Sequence, residues 1–262
     1  GQAQVELVTG WMALGFIHGV MNTDNMSIAG ESIDFGPCAF MDQFRFDQVF
    51  SSIDQFGRYN YSNQAQITLW NLSRFGNCLL LLHQDASEDE LRQWNQELEA
   101  LQDLFAHRHT AKMLEKLGIF DNERPNDREL IQKWLHYLEA EHLDYTSSFR
   151  ALAHLVDQEA GWGPFKKTEG FQEFYQLWQE RIHQQDLDTR AIQERMNRVN
   201  PVFIPRNHKI EEVIDAGLKG DFSPFHEINE VLQNPFQEQE EFCSYQLAPR
   251  PEETVQATFC GT

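Results

Sequence analysis

The side chains best suited to metal and phosphate chemistry lie close together near the start of the chain. His18 opens a polar loop that contains Asp24 and Asn25, and Asp34 follows in an Asp-Phe-Gly triplet. Hard cations such as Mg²⁺ prefer carboxylate and amide oxygens as ligands. The pattern therefore predicts a loop that holds a divalent cation against the phosphates of a nucleotide.

The order and spacing of these residues match the catalytic segment of protein kinases. Kinases place an H-x-D-x-x-x-x-N loop before an Asp-Phe-Gly triplet, where one Asp handles the proton of the acceptor hydroxyl. The Asn and the second Asp hold magnesium, and in this frame Asn25 and Asp34 fall on those two positions. Val20 occupies the position of the proton-accepting Asp.

The aliphatic Val20 cannot accept a proton, so a conventional phosphotransfer mechanism lacks its base. Asp24 is the nearest replacement. If the loop is extended, neighbouring side chains point in roughly opposite directions, so Asp24 would face the acceptor while Asn25 faces the metal. Taken singly, such residues are usually turn formers. Their occurrence together, in kinase order and after a buried helix, favours the nucleotide and metal site.

The chain resembles the selenoprotein O family of protein adenylyltransferases, which are pseudokinase-like enzymes. The resemblance is to the C-terminal half of that family and extends over nearly the whole chain. Its most specific block is residues 18–28, followed by residues 33–37. The later blocks keep the family's order and are Gly57-Arg58-Tyr59, Asn63-Gln64, Trp70-Asn71-Leu72, Asn200-Pro201, Arg206-Asn207 and Gly220-Asp221-Phe222.

The resemblance implies an α+β, protein-kinase-like fold that is mainly α. The chain would supply the C-lobe, with a short catalytic-loop hairpin and a C-terminal helical extension, and the N-lobe would be missing. ATP would lie reversed, so that AMP passes to Ser, Thr or Tyr hydroxyls of protein substrates and pyrophosphate leaves. By resemblance, Asp24 is the proton acceptor, Asn25 and Asp34 are ligands of Mg²⁺ or Mn²⁺, and Asp34 also contacts ATP.

One departure from the family concerns the phosphate-binding residues. The family's glycine-rich loop, its phosphate-binding Lys and Arg residues and the Glu that pairs with the Lys lie upstream, and no stretch of this chain supplies them. Residue 1 is Gly rather than Met. We expect the chain to be a piece of a longer protein that, alone, binds ATP poorly and catalyses little or nothing.

A second departure concerns cysteines. Some family members tie a cysteine in the activation-type loop to a cysteine or selenocysteine near the C-terminus. Cys260 resembles the terminal partner, whereas the loop position falls around Phe50-Ser51-Ser52. Cys38 is the only cysteine near that loop, so a redox switch of this kind would be a Cys38–Cys260 disulfide. The more frequent role for Cys38 is that of a small buried apolar group.

The elements that must position these residues are mainly helices. Residues 5–17 predict a mostly buried helix, Gly30 predicts a tight hairpin, and residues 38–61 predict a long ordered loop. Ser87 and Glu90 form a predicted capping box. Helices are expected at 63–83, 87–117, from 126 toward 156, and at 169–184, 186–198, 208–218 and 222–233. We assign residues 1–120 to a kinase-like C-lobe with the catalytic and activation-type loops, and residues 121–262 to its helical extension.

Composition limits what the chain can bind. It has 41 Asp and Glu against 21 Lys and Arg, a net charge of -20, which repels nucleic-acid phosphates and anionic lipids. The apolar stretch 78–82 is far shorter than the roughly 20 residues of a spanning helix. Nucleic acid and membrane partners are therefore not expected. The separated cysteines indicate a reducing compartment, which is the cytoplasm in a bacterium or the mitochondrion in a eukaryote.

Two alternative functions stay open at this point. A noncatalytic pseudokinase scaffold would explain Val20 as lost chemistry, with the acidic helical face binding partners. A small-molecule phosphotransferase uses similar loops but needs a base at position 20. Arg58 would meet either a phosphate or an acidic group of the substrate, although arginines at such positions more often hold the loop through hydrogen bonds.

Overall fold

The computed structural model describes residues 1–82, 87–157 and 165–259. Most of these residues are helical, and the strands among them form a two-stranded sheet of β1 (Phe16–Ile17) and β2 (Ala39–Phe40). The prediction of a mainly α chain is confirmed, whereas the assignment to kinase lobes stays a prediction. No helix in the described ranges is long and apolar enough to cross a membrane.

The chain forms two compact units. Unit 1 comprises Gly1–Ala39, Phe46–Lys112 and the described residues from Ala257 onward, and unit 2 comprises Phe40–Arg45 and Met113–Gln256. Unit 1 carries every site residue predicted from the sequence. Unit 2 carries most of the shorter helices.

Unit 1 is built on α1 (Gln2–Leu14), α2 (Gln64–Leu82) and most of α3 (Glu88–Lys116). The predicted first helix exists but ends earlier than expected. Gly15 adopts the left-handed conformation with φ 73° and its amide donates to the carbonyl of Met12, which is a common way to end a helix. The next two residues therefore form β1 instead of a further helical turn.

The start of α3 follows the predicted capping box. The Ser87 amide donates to Glu90 Oε2 at 2.8 Å, and the Glu90 amide donates to Ser87 Oγ at 3.3 Å. Further along, α3 packs closely on α2, because a Cβ built on Gly76 would lie 1.7 Å from Trp94 Cζ2. The absence of a side chain at Gly76 is thus what lets the two helices approach.

Unit 2 differs from the sequence prediction in one place. The single helix expected from residue 126 toward 156 is two helices, α4 (Asp127–Ala140) and α5 (Tyr145–His154). The chain turns at His142, which has φ 53°, and Asp144 begins the second helix by accepting a hydrogen bond from the Ser147 amide at 2.7 Å. The remaining helices of this unit are α6 (Glu169–Ile182), α7 (Thr189–Val199), α8 (Asn207–Leu218) and α9 (Ser223–Gln233).

Aromatic side chains fill the core of unit 2. Trp134 on α4 is fully buried and its ring lies 4.9 Å from Phe174, 5.5 Å from Phe165 and 5.7 Å from Phe149, measured between centroids. Such rings bury large areas and favour tilted contacts. Trp178 adds a buried hydrogen bond from Nε1 to the Leu117 carbonyl at 2.7 Å.

A buried arginine joins three segments within unit 2. Arg206 Nη1 lies 2.6 Å from Asp42 Oδ1 and 2.7 Å from Asp144 Oδ2. The segment that contains Asp42 is also held by its backbone, since the Tyr145 amide donates to the Asp42 carbonyl at 2.7 Å and the Phe44 amide to the Leu143 carbonyl at 2.9 Å. Residues 40–45 therefore belong to the helical body although they follow the Asp34 loop closely in sequence.

Candidate active site

His18 is the buried centre around which the predicted loop is arranged. Its side chain is fully inaccessible and stacks on Trp11 with 5.3 Å between ring centroids. The Val20 amide donates to Nδ1 at 3.4 Å, which leaves Nε2 to donate to the Ile33 carbonyl at 2.7 Å. His18 thus connects the start of the catalytic-type loop to the residue just before Asp34.

The pKa of His18 favours this hydrogen-bond pattern. Burial lowers the pKa, and the bond to the Ile33 carbonyl and the nearby charge of Asp34 oppose that shift without reversing it. A neutral imidazole has one donor and one acceptor nitrogen. The lowered pKa therefore favours the neutral ring, and the two hydrogen-bond partners select the tautomer that accepts from Val20 and donates to Ile33.

The hairpin predicted around Gly30 is present. Met26 and Ser32 form an isolated antiparallel bridge, and Gly30 has φ 77° with its amide donating to the Ser27 carbonyl at 3.1 Å. A Cβ on Gly30 would also lie 2.7 Å from Ala3 Cβ. Because opposite residues of an antiparallel pair are in register, the bridge brings Asn25 next to Ile33 and hence near Asp34.

Asp24 lies in a short 3-10 turn formed by Thr23–Asn25, at the beginning of this hairpin. The turn is closed by the Asn25 amide, which donates to the Asn22 carbonyl at 3.0 Å. The side chain of Asp24 is exposed. Its carboxylate is therefore open to a substrate hydroxyl, although the loop is a tight turn and not the extended segment on which the sequence argument relied.

The side chain of Asn25 has a fixed orientation. Its Nδ2 donates to the Val20 carbonyl at 2.9 Å. The amide oxygen is the group that binds a hard cation. Because the nitrogen is used within the loop, Oδ1 is the atom left for a ligand.

Asp34 is exposed and has φ 55°, one of two positive φ values among the described residues other than glycine. An Asp in this conformation is uncommon and such residues often occur at functional sites. The preceding residue is held by His18. The backbone next to Asp34 is thus held by a buried contact, while the Asp34 carboxylate faces solvent.

The donor set fits a magnesium or manganese ion bound together with phosphates. Asn25 Oδ1 and the Asp34 carboxylate are hard oxygen ligands, and Mg²⁺ usually takes one or two protein ligands plus phosphates and water. Among the residues that the structure describes, no group of three or more His, Cys, Asp or Glu side chains could hold a metal by itself. A nucleotide would have to supply part of the coordination.

Helix α2 supplies support that the sequence did not reveal. Gln64 is fully buried, accepts a hydrogen bond from the His18 amide at 3.1 Å and donates to the Phe16 carbonyl at 3.0 Å. Asn71 donates to the Met21 carbonyl at 2.8 Å. Both residues fall in the short blocks Asn63-Gln64 and Trp70-Asn71-Leu72, which the family resemblance singles out without giving them a role.

A cleft of about 490 Å³ lies beside the loop. The Tyr59 hydroxyl donates to Asn22 Oδ1 across it, and Asp54 accepts hydrogen bonds from the Arg58 and Tyr59 amides, each at 2.8 Å. The cleft is lined by Val20, Asn22, Ile53, Asp54, Gln55, Phe56, Arg58 and Tyr59.

The predicted cysteine switch stays a prediction. Cys38 is a half-buried free thiol that donates to the Phe35 carbonyl at 3.2 Å. Cys260 lies outside the described residues. Thr258 pairs with the loop, because its amide donates to the Phe50 carbonyl at 2.8 Å and its carbonyl accepts from the Ser52 amide at 3.0 Å.

Comparison of the sequence with known proteins identifies a family and several similar proteins. The family model described as protein adenylyltransferase SelO matches residues 2–233. A protein nucleotidyltransferase YdiU of Rhodopseudomonas palustris (strain ATCC BAA-98 / CGA009) is 46% identical over 264 residues, which is 99% of this chain and 54% of that protein. The YdiU protein of Rhizobium etli (strain CIAT 652) is 42% identical over 266 residues, 100% of this chain and 53% of its own length. The chain thus spans about half the length of these curated relatives.

Proposed function

The chain belongs to the SelO family of protein adenylyltransferases, and we propose that it carries the catalytic loop and metal ligands of a nucleotidyltransferase that moves AMP from ATP to protein hydroxyls. The acceptors are Ser, Thr or Tyr side chains, and the other product is pyrophosphate. Relatives covered to about half their length bear the name protein nucleotidyltransferase.

The observation that carries this proposal is that three residues with oxygen-bearing side chains lie at the open end of one short hairpin. The bond from His18 Nε2 to the Ile33 carbonyl and the bridge between Met26 and Ser32 bring the two arms of the hairpin together. Asp24 and Asn25 lie on one arm and Asp34 follows the other. This arrangement supports an acid–base group and a pair of metal ligands at one place.

In the proposed reaction, the acceptor oxygen attacks the α-phosphorus of ATP, and the bond from that phosphorus to the bridging oxygen of pyrophosphate breaks. Asp24 accepts the hydroxyl proton. Asn25 Oδ1 and the Asp34 carboxylate hold Mg²⁺ or Mn²⁺. The bound cation neutralises phosphate charge while the acceptor oxygen attacks.

Val20 explains why Asp24 takes the role of the base. The Val20 side chain is 5% exposed and has no group that could bind a proton. Its backbone still serves the loop, because its carbonyl accepts from Asn25 Nδ2. The carboxylate that moves the proton therefore lies four positions later, beside the metal ligand.

The remaining parts of the proposal concern the rest of the protein. The chain covers 54% of the Rhodopseudomonas palustris relative, so we propose that phosphate-binding Lys and Arg residues belong to the rest of the protein, that these 262 residues alone bind ATP weakly, and that activity requires the full-length protein. We also retain the division into a C-lobe of residues 1–120 and a helical extension of residues 121–262 as a proposal.

Substitution of the proposed ligands in the full-length protein tests this function. Transfer of label from α-³²P ATP to protein should fall by at least about 100-fold in Asp34→Ala and in Asp24→Asn, because a metal ligand or the base is lost. Asp215→Asn, which removes an exposed carboxylate on α8, is the matched control and should retain activity. Both site residues are exposed, so the unfolding midpoints should stay close to that of the unchanged protein, with a small decrease for Asp34→Ala because alanine adopts φ 55° less readily than aspartate.

Three outcomes would contradict the proposal. Full activity of Asp34→Ala would show that Asp34 is not a metal ligand required for AMP transfer. Partner binding without any label transfer in the unchanged protein would favour a scaffold. Label from γ-³²P ATP on a small molecule would favour a small-molecule phosphotransferase.

A further inference from the structure

Two arginines of unit 1 lie over the same tryptophan. The guanidinium carbon of Arg58 is 4.8 Å from the Trp70 ring centroid, and that of Arg74 is 5.4 Å from it. Trp70 is 40% exposed, and both arginines are exposed as well. Stacking of this kind restricts a guanidinium group while its remaining N–H groups can bind an anion. Arg74 Nη2 donates to Ser73 Oγ at 3.3 Å.

These two arginines differ from the other basic side chains of unit 1. Within the described part of that unit, Arg92 pairs with Asp89, whereas Arg108 and Lys112 pair with Glu6. The structure gives Arg58 and Arg74 no carboxylate partner among the residues it describes. In a chain with a net charge of -20, two neighbouring arginines without such a partner indicate a place kept for an external anion.

The pair lies beside the proposed catalytic loop. Arg58 lines the 490 Å³ cleft together with Val20 and Asn22. Arg74 lines a second cleft of about 300 Å³ together with Thr23. Asn22 and Thr23 directly precede Asp24, so the two guanidinium groups flank the segment that presents the proposed base.

We propose that Arg58, held on Trp70 and supported by Arg74, binds an acidic side chain of the protein substrate next to the hydroxyl that receives AMP. This inference rests on the proposed function and adds a sequence preference to it. The recognised element is a carboxylate of Asp or Glu close to the acceptor residue.

The surroundings of Arg58 favour a peptide carboxylate over a nucleotide phosphate. Ile53 is 67% exposed and Phe56 is 96% exposed on the same cleft, and such apolar side chains contact a polypeptide better than a polyphosphate. Asp54 adds a negative charge to the cleft. This charge opposes a triphosphate more strongly than a single carboxylate, because the repulsion grows with the charge of the ligand.

Peptide binding without ATP tests the inference independently of catalysis. The probes are two fluorescent peptides with a central Ser, one with Glu on both sides and one with Gln in place of each Glu. The unchanged full-length protein should bind the Glu peptide about three to ten times more tightly by fluorescence anisotropy, as expected for a charge-assisted hydrogen bond at a partly exposed site. The net charge of the chain acts in the opposite direction, so nonspecific electrostatics would not produce this preference.

Substitutions then locate the preference. It should disappear in Arg58→Gln and fall by part of its size in Arg58→Lys, which keeps the charge but loses the flat stacking surface. Arg92→Gln, an exposed arginine on α3, is the matched control and should keep the full preference. Circular dichroism and unfolding midpoints check that the variants fold. If Arg58→Gln does not fold, Arg58→Lys is the variant that tests the proposal.

The proposal is overturned by equal binding of the two peptides, by no binding of either at about 1 mM, or by a preference that Arg58→Gln leaves intact. In the full-length protein, Arg58→Gln should raise KM for the Glu peptide and leave KM for ATP unchanged. If Asp34→Ala retains activity while the Glu preference depends on Arg58, the proposed function fails and the binding site stands. If Asp34→Ala is inactive while the preference is absent, the proposed function stands and the binding site at Arg58 fails.

Discussion

Each unit of this protein has cations over aromatic rings, but in opposite surroundings. In unit 2, Lys116 Nζ lies 4.2 Å from the Phe149 centroid and 5.4 Å from the Tyr145 centroid, and the residue is 2% exposed. In unit 1, Arg58 and Arg74 lie over the half-exposed Trp70. Both contacts are cation–π interactions, and they differ in how far the cation is exposed to solvent.

Burial changes the chemistry of Lys116. It lowers the pKa of the ammonium group from 10.5 to about 7, because the charged form loses its hydration and no carboxylate among the described residues forms an ion pair with it. A guanidinium at the surface keeps its hydration and stays charged. The buried lysine therefore weakens the folded state as a charge, whereas the exposed arginines are able to bind an anion.

Arg206 shows what a buried cation needs in order to be stable. It is 1% exposed, yet it contacts Asp42 and Asp144, and these two charges raise its pKa against the effect of burial. Among its described residues, unit 2 thus contains buried cations with carboxylate partners, Arg206 and Arg181, and the buried cation Lys116 without one. The experiments below test whether that difference, and the contrast with unit 1, governs stability.

The largest effect is expected from Arg206→Ala. Removing the guanidinium leaves two carboxylates without their partner in a buried place, which should lower the free energy of unfolding by about 3 to 5 kcal/mol. Urea denaturation monitored by fluorescence would measure this. Arg190→Ala, which breaks an exposed pair with Glu194, should cost less than about 1 kcal/mol.

The Arg206→Ala loss should also depend on pH. Burial already raises the pKa of Asp42, and loss of Arg206 would raise it further. In the variant, the pKa of Asp42 is therefore higher in the folded state than in the unfolded state. The variant loses stability as the pH rises from the unfolded pKa to the folded pKa of Asp42. A deficit that is the same at pH 5 and at pH 7 would contradict the assignment of the effect to charge.

The next effect is expected from Lys116→Met, which removes a buried charge and keeps the length of the side chain. At pH 7 this variant should be more stable than the unchanged chain by about 2 to 3 kcal/mol, since the cost of burying a cation disappears. The free energy of unfolding at pH 7, obtained from urea titration, would measure it. A loss of stability would show that the ammonium group contributes favourably through the two rings.

The sign of the pH dependence of Lys116 is fixed by its lowered pKa. Between pH 7 and 10.5 the unfolded chain holds a proton that the folded chain has released, so stability rises with pH, by up to about 1.4 kcal/mol per unit. Lys116→Met should lack this rise between pH 7 and 9. Lys219→Met, at an exposed lysine, should keep it.

A smaller effect is expected from Gly76→Ala, which concerns the helix that presents Trp70 and Arg74. The added Cβ would lie 1.7 Å from Trp94 Cζ2, and the rearrangement should destabilise unit 1 by about 1 to 3 kcal/mol. Gly10→Ala is the matched control, because a Cβ on this glycine of α1 meets no atom within 4 Å. It should stabilise the chain by about 0.5 to 1 kcal/mol, as Ala does in a helix interior.

Displacement of α2 should also reach the proposed anion site. We expect Gly76→Ala to reduce the preference for the Glu peptide and Gly10→Ala to leave it unchanged. An unaltered preference in a folded Gly76→Ala would mean that Trp70 and Arg74 are positioned independently of the contact between α2 and α3.

Local features of the structure were largely predictable from the sequence. The hairpin at Gly30 and the capping box of Ser87 and Glu90 were expected and are confirmed, because turns and caps depend on residues within a few positions of one another. The end of α1 was predicted too late. Gly15 was the available signal, since glycine commonly ends a helix in the left-handed conformation.

The division between α4 and α5 was not predictable in the same way. The segment around His142 contains neither Gly nor Pro, and its apolar spacing continues that of a helix. The structure ends α4 there, with the Leu143 amide donating to the Leu138 carbonyl at 2.9 Å and the Asp144 position forming a bridge to Gln43. A contact with a distant segment thus overrode local helix propensity.

The sequence alone was enough to predict the proposed site of Asp24, Asn25 and Asp34, the hairpin that carries it, and the resemblance to a family. The tertiary structure decided which cations are buried, which have carboxylate partners and which face solvent. Arg206 contacts Asp42, which is 164 positions away in the chain. Arg58 and Arg74 each lie over the ring of Trp70. Charge burial depends on such long-range contacts, and short-range dihedral and capping preferences carry no information about them.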